Sequence, residues 1–451
     1  MANEIRYYST NHKAPDVGFK EALLTGQAPD KGLYNPSRFP PLDEKEILDM
    51  ANKSYAEIAT TVLCKYTDAI IPIEVQEELC KEAYNYPVPL EKARDRIFVM
   101  RLDSGPTFSF KDFAARMMAR WMSYFIGKEG GELTILTATS GDTGSAIANA
   151  FYNLERINVV VLFPYNEVSN RQRKQMTTLA GNVTMIAFDT KFDDGQTLVK
   201  TAFADPELKH IRLTSANSIN IGRLLPQAVY YFYAYAKLAK GFEPLTISVP
   251  SGNFGDMMGA VIARQMGLPL KKLVVATNAN YEFPEFIKTG EYKKIVPSLK
   301  CISNAMNVGH PSNLARLIDL YGGEMDEQGN LKKSPNMERL RNEIYAISIS
   351  DDETRETIKR AWERDKLLLE PHGAVGWAGL SHYIEESGEE GLCISVETAH
   401  PAKFPEEIVA LLGFEPDAPP ALKKLDNMDE RYISIKADYN EFKKLLIKRF
   451  S

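Results

Sequence analysis

The amino-acid sequence predicts an α/β protein with parallel sheets covered on both faces, preceded by an N-terminal helical extension. Three observations carry that prediction. From about residue 133 onward, β-rich runs alternate with helical runs of roughly ten to fifteen residues. Several β-rich runs are continuous Val/Ile/Leu segments rather than alternating ones, the pattern of strands buried on both faces. The chain of 451 residues is also too long for one ordinary core, which favours roughly two or three domains.

Taken in order, residues 1–95 hold helical patterns and a Pro/Gly-rich passage from Gly26 to Pro41, read as an extension packed on the core. A first α/β region spans 96–245 and includes a smaller, substrate-side domain. Its strands are expected at 133–139, 157–163, 183–188 and 211–215, with helices at 143–154, 169–179, 193–204 and 223–238. A second region, 246–451, completes the other domain, with strands at 245–249, 272–277 and 392–396 and helices at 257–266 and 351–365. Within it, residues 285–345 read as a loop-rich excursion, a candidate cover for the site. The run from Tyr439 to Phe450 is a basic amphipathic helix, most simply one that docks on the body.

Composition narrows the function classes. Lys and Arg number 54 against 60 Asp and Glu, a net charge of −6 with no long single-sign block, which argues against nucleic-acid or acidic-membrane partners. The four cysteines are scattered without a CxxC pair, so reduced thiols are expected and a structural zinc site is not. No His/Asp/Glu spacing resembles a metal triad, and no bound metal is expected. The N-terminus lacks a signal-peptide apolar core and no window approaches a membrane span, so the expectation is a cytoplasmic protein.

The chemistry begins at Lys111. The Gly105-Pro106-Thr107 turn should end an extended segment, because proline fixes its own φ and biases the preceding residue away from helix. Lys111 follows Phe108 and Phe110 and opens an amphipathic run carrying Phe113, Met117, Trp121 and Phe125. An ammonium held among aromatics at a helix start is desolvated and faces the positive end of the dipole, and both effects favour the neutral amine. A neutral amine is what a Schiff-base lysine needs. Taken alone, the segment also fits a lysine that snorkels from an amphipathic helix.

Three strand-to-helix junctions are chemically loaded, and ligands bind at such junctions in parallel sheets. Thr139-Ser140-Gly141-Asp142-Thr143-Gly144 offers hydroxyls, glycines and a helix start suited to a carboxylate or phosphate, or simply a helix cap. Ser251-Gly252-Asn253-Phe254-Gly255 provides a tight turn whose N–H groups converge on a phosphate, without the Walker or dinucleotide spacing. Thr398 ends the strand at 392–396 with a hydroxyl able to meet a ring nitrogen without protonating it, or merely opens a turn. Asn217, Asn220 and Arg223 also follow a strand and are candidates to touch an anionic substrate.

These elements together resemble a pyridoxal-phosphate enzyme of the tryptophan-synthase-β type. The motifs Ser-Gly-Pro-Thr-Phe-Ser-Phe-Lys-Asp-Phe, Thr-Ser-Gly-Asp-Thr-Gly-Ser, Val-Pro-Ser-Gly-Asn-Phe-Gly-Asp and Thr-Ala-His-Pro-Ala-Lys-Phe-Pro look like those of the threonine synthases, in the same order from about residue 6 to 412. The resemblance implies two parallel-sheet, doubly wound domains around a cofactor cleft. It also implies that Lys111 forms the Schiff base with pyridoxal 5′-phosphate, that Ser251, Gly252, Asn253, Phe254 and Gly255 hold its phosphate, and that Thr398 contacts the pyridine nitrogen. Asp142 would lie near the cofactor's 3′-oxygen. Thr107, Ser140, Gly141 and Thr143 would face the substrate, as would Asn217, with Arg223, Lys191 and Asn220 as candidates for its phosphate.

The implied reaction converts O-phospho-L-homoserine and water into L-threonine and phosphate, in a monomer or homodimer. A phospho-lyase giving 2-oxobutyrate and a non-catalytic relative are the competing readings. Two positions depart from common patterns. Ser104 and Ser109 replace residues of the usual His-Gly-Pro-Thr-x-Ala-Phe-Lys-Asp motif, and Asp142 stands where much of the wider superfamily has Asn. An anion beside a phenolate oxygen is repulsive, so a shared proton or a different contact is expected at Asp142.

Overall fold

The computed structural model describes residues 4–139 and 141–450; the side chain of Asp193 is also outside the description. In the N-terminal extension a small ribbon pairs β1 (Tyr7–Ser9) antiparallel with β2 (Tyr34–Pro36), ahead of helices including Tyr55–Thr67 and Ile73–Ala83. A hairpin of β3 (Leu90–Arg94) and β4 (Ile97–Arg101) follows. The next strands are β5 (Leu133–Ala138), β6 (Ile157–Pro164), β7 (Val183–Phe188) and β8 (Leu213–Thr214). Then come β9 (Leu245–Pro250), β10 (Leu270–Thr277), a short ribbon of β11 (Glu324–Met325) and β12 (Leu331–Lys333), β13 (Ile344–Ser348), β14 (Leu392–Glu397) and β15 (Ile433–Ser434).

Two sheets organise the body. One runs β15-β7-β6-β5-β8 with every pairing parallel. The other runs β13-β10-β9-β14-β4-β3, parallel except for the β3–β4 edge. The continuous apolar runs explain how the first sheet is covered. Along β6, Val159, Val161 and Phe163 enter one core while Val160 and Leu162 enter another on the opposite face. Successive side chains of a strand point to opposite faces, so a strand apolar at every position needs cover on both.

The C-terminal helix Tyr439–Phe450 supplies part of that cover. Phe442 and Leu446 are fully buried in the core that holds Val160 and Leu162, and Lys443 Nζ lies 2.8 Å from Asp205 Oδ2. Sheet membership therefore does not follow a single cut at residue 245, because β15 and this helix return to the first sheet from the end of the chain.

Three expectations change. The helix read at 223–238 is broken into Ile221–Leu224, a tight turn Leu225–Gln227 and Ala228–Leu238. Pro226 has no N–H to donate within a continuous helix. The strand expected at 211–215 shortens to β8. The 285–345 excursion contains helices Leu314–Leu320 and Met337–Glu343 and the β11–β12 ribbon, and buries Met306, Leu314, Leu317 and Ile318. These buried apolar side chains pack the segment against the body, so it is more regular than the loop-rich reading expects.

Candidate active site

The order β9-β14-β4 puts the C-terminal ends of three adjacent parallel strands side by side. The segments that leave them carry Ser251–Gly255, Thr398 and Lys111. The Phe110 N–H donates to Thr398 O at 2.9 Å and the His400 N–H to Phe108 O at 3.1 Å, so the chain before Lys111 lies antiparallel to 398–400. A turn prepares this approach. Buried Asp112 accepts from the Thr107 N–H (2.8 Å) and from Thr107 Oγ1 (2.7 Å). Gly105 must be glycine, since a Cβ there would sit 2.4 Å from Asp112 Oδ2. Helix Lys111–Glu129 then starts on the lysine itself.

The Lys111 ammonium position is 4.9 Å from the Phe110 ring centroid. Among the described residues none hydrogen-bonds or ion-pairs with it. The residue is half-buried overall, and its amine is desolvated. Desolvation lowers its pKa; attraction to Asp142 opposes the shift, and Lys403 and Arg223 add to it. Thr398 is buried, and no described residue hydrogen-bonds its hydroxyl.

The turn after β9 is tightly held. The Ser251 N–H donates to Ala276 O and Ser251 Oγ to Val249 O. Phe254 takes the left-handed conformation (φ 63°) just before helix Gly255–Gln265, whose first amides are free to receive an anion. Asn253 Nδ2 donates to Ser218 Oγ at 2.7 Å, and its Oδ1 accepts from the Ser312 N–H at 2.6 Å. The excursion thus braces this turn, and a Cβ on Gly252 would meet Met306 Cα at 2.9 Å.

Across the cleft, Thr139 Oγ1 accepts from the N–H groups of Gly141 (3.0 Å) and Gly144 (2.8 Å), holding the start of helix Asp142–Ala150. Ser140 lies outside the described residues. Thr143 is half-buried in the first turn. Asp142 does make a different contact: its Oδ1 is 2.6 Å from Lys403 Nζ and accepts from Gln172 Nε2 at 2.9 Å. Burial alone would raise its pKa, but Lys403 and then Lys111 outweigh burial and hold the carboxyl well below the usual range. Lys403 thus balances the charge of an ionised Asp142.

The loop after β8 divides its roles. Asn220 is fully buried, with both amide hydrogens given to Leu23 O and Ser215 O and its Oδ1 accepting from the Gly222 N–H. It therefore holds the loop rather than reaching outward. Asn217 Oδ1 accepts from Thr137 Oγ1 at 2.5 Å. Arg223 donates from Nη1 to Ala216 O, while its buried Nε has no partner. Desolvation lowers the Arg223 pKa to about 10, with Asp112 and Tyr230 opposing. Lys191 is exposed ahead of helix Phe192–Ala204.

Two residues of this region escaped the sequence reading. Lys403 sat in view within Pro-Ala-Lys-Phe-Pro, a cation in an apolar run. Arg316 is fully buried in helix Leu314–Leu320; it donates to the carbonyls of Tyr34 and Ile219 and to Asn313 Oδ1, and Asn313 Nδ2 donates to Asn253 O. A lone arginine in Leu-Ala-Arg-Leu-Ile was the available signal.

Parallel strands that end on a desolvated lysine, an unspent hydroxyl and an amide-lined turn define a lysine-centred enzyme of the pyridoxal-phosphate class. The residues present fit that cofactor: among the described residues nothing pairs with the Lys111 amine or hydrogen-bonds the Thr398 hydroxyl. A family profile described as pyridoxal-phosphate dependent enzyme matches residues 84–396, threonine synthase N terminus matches 6–84, and threonine synthase C-terminal matches 373–446. The chain is 38% identical over 443 residues to the threonine synthase of Haemophilus influenzae, covering 95% of this chain and 98% of that one. With the threonine synthase of Escherichia coli it shares 36% identity, covering 98% and 99%. The crystal structure of a PLP-bound threonine synthase from Brucella melitensis superposes with a TM-score of 0.93 at 34% identity, covering 99% of this chain and 100% of that chain. A yeast threonine synthase structure matches at 0.90 and 29% identity, covering 98% of each. The chain belongs to the pyridoxal-phosphate-dependent enzymes and, within them, to the threonine synthase family.

Proposed function

We propose that this protein converts O-phospho-L-homoserine and water into L-threonine and phosphate. The observation that carries the reading is the unpaired, desolvated Lys111 amine at the meeting of three strand ends, beside the Ser251–Gly255 turn. Pyridoxal 5′-phosphate, joined to Lys111, supplies the electron sink. The amides of Ser251–Gly255 and the start of the following helix would hold its phosphate, and the neutral hydroxyl of Thr398 would meet its ring nitrogen. Asp142 would lie near its 3′-oxygen, with Lys403 beside it balancing the charge.

Once released, the Lys111 amine takes the substrate's α-proton and then helps remove a β-proton. Desolvation suits it to that work by keeping a base available nearer neutral pH. The 140–143 loop, with Ser140, Gly141 and Thr143, would take the substrate carboxylate, and Thr107 would face the substrate beside it. Thr107 spends its N–H and Oγ1 on Asp112, and its carbonyl accepts from Lys403 and Gln175, so it shapes the wall without donating to the substrate. Arg223, through its unspent Nε, and Asn217 receive the phosphate that leaves the γ-carbon. The γ-carbon then takes up a proton to become the methyl group, water adds at the β-carbon, and the α-carbon regains its proton. The same proposal places the protein in the cytoplasm as a monomer or homodimer; its four free cysteines suit a reducing compartment.

The test is a product balance with O-phospho-L-homoserine and added cofactor. Equal phosphate and threonine support the reading. Phosphate with 2-oxobutyrate and ammonia instead moves the assignment to a phospho-lyase.

A further inference from the structure

Lys403 is the second lysine of the cleft, and it differs from Lys111 in having partners. It is 2% exposed, with Nζ 2.6 Å from Asp142 Oδ1 and 3.0 Å from Thr107 O. Asp142 opens the helix that follows β5 in one sheet; Lys403 lies in the tight turn Pro401–Lys403 that follows β14 in the other. One buried ion pair therefore joins the two halves of the cleft. Such a pair is costly to desolvate and persists only when further hydrogen bonds complete it, here from Gln172 to Asp142 and from Lys403 to Thr107.

The groups around Lys111 show what the pair can do beyond holding the sheets. Asp142 attracts a proton to the Lys111 nitrogen, and Lys403 repels it. Arg223 from the loop after β8 also repels, Glu370 at the start of helix Pro371–Ser387 attracts, and Asp256 on the helix after the Ser251–Gly255 turn interacts as well. Asp112, next in the chain, has both oxygens committed to Thr107. Among these described residues, Asp142 and Lys403 form the one ion pair.

We propose that Lys403 is a positioning residue that cancels most of the Asp142 charge, so that the pair sets the protonation of the nitrogen carried by Lys111. The proposal rests on the cofactor reading above. Removing the cation leaves an unbalanced anion and favours the protonated nitrogen; removing the anion does the reverse. A clamp with no electrical role would shift neither.

The test is a pH titration of the visible cofactor band in the full-length, cofactor-loaded protein. Lys403→Met should raise the band's midpoint by about one to two pH units, and Asp142→Asn should lower it by a similar amount. The double variant should return close to the wild type, and Lys403→Arg should keep the wild-type midpoint. If Lys403→Met does not fold, Asp142→Asn and the double variant still decide the question. Unmoved midpoints, or shifts of the same sign in both single variants, overturn the proposal while leaving the cofactor reading intact. Absence of any Lys111-dependent band in the wild type overturns the cofactor reading and this inference with it.

Discussion

The Phe110 N–H donates to the Thr398 carbonyl at 2.9 Å, so the lysine that opens the next helix is fixed against β14 by backbone rather than by its own side chain. Lys111→Ala should therefore keep the fold while removing the chemistry. The expected outcome is an unfolding midpoint within a few degrees of the wild type, no lysine-dependent visible band, and phosphate release reduced by at least about a thousandfold. A variant that retained the band would assign the cofactor to another amine.

Gly252 presses on backbone rather than on a yielding side chain. A Cβ there would lie 2.9 Å from Met306 Cα and 3.0 Å from Ala305 O, so the 303–307 segment or the turn must shift. Gly252→Ala should weaken cofactor binding by about tenfold or more, with the secondary structure unchanged. Titrating pyridoxal phosphate into the cofactor-free variant measures this, and wild-type affinity would remove the turn from the site.

Arg223 keeps one buried donor, Nε, without an acceptor. An unsatisfied buried donor is costly, and a charge-assisted hydrogen bond to an anion repays it with about 1.5–3 kcal/mol. Arg223→Met should raise the KM for O-phospho-L-homoserine by about ten- to a hundredfold, and Arg223→Lys should recover part of it. Steady-state kinetics with both variants provide the check; an unchanged KM would turn Arg223 into a purely structural residue.

Asp256 is buried in the first turn of the helix Gly255–Gln265, where Tyr230 and Tyr231 both donate to its Oδ1 and, among the described residues, Oδ2 has no partner. Desolvation raises its pKa from 3.8 to about 6 despite the opposing tyrosines and Lys111. The folded state therefore holds the proton more tightly than the unfolded chain. Stability contributed by protonated Asp256 is present below about pH 4 and lost as pH rises through about 6, a change on the order of 3 kcal/mol. Asp256→Asn does not titrate, so the wild type should lose ground to the variant across that window. Thermal unfolding of both proteins at pH 4 and pH 7 tests this, and an equal difference at the two pH values would rule it out.

What the sequence determined by itself is what local pattern encodes. The uninterrupted apolar run at 157–163 required a strand covered on both faces, and Ser350 and the acidic turn after it marked the helix Asp351–Asp365. Lys111 was legible as a helix-opening lysine because a proline turn and two phenylalanines precede it. Pro226 was equally legible as a break, and the longer periodicity around it obscured the signal.

The tertiary structure decided which of these local features meet. The order β9-β14-β4 is set by long-range pairing, and it alone turns three separate loops into one site. The same holds for Asn220, whose polar side chain is spent on Leu23 and Ser215, and for Arg316, which braces the Ser251–Gly255 turn through Asn313. Lys403 and Asp142 carry no mark of each other in the sequence. The free energy of a buried charge depends on its partner and its desolvation, and both are properties of the packed chain rather than of the residues on either side.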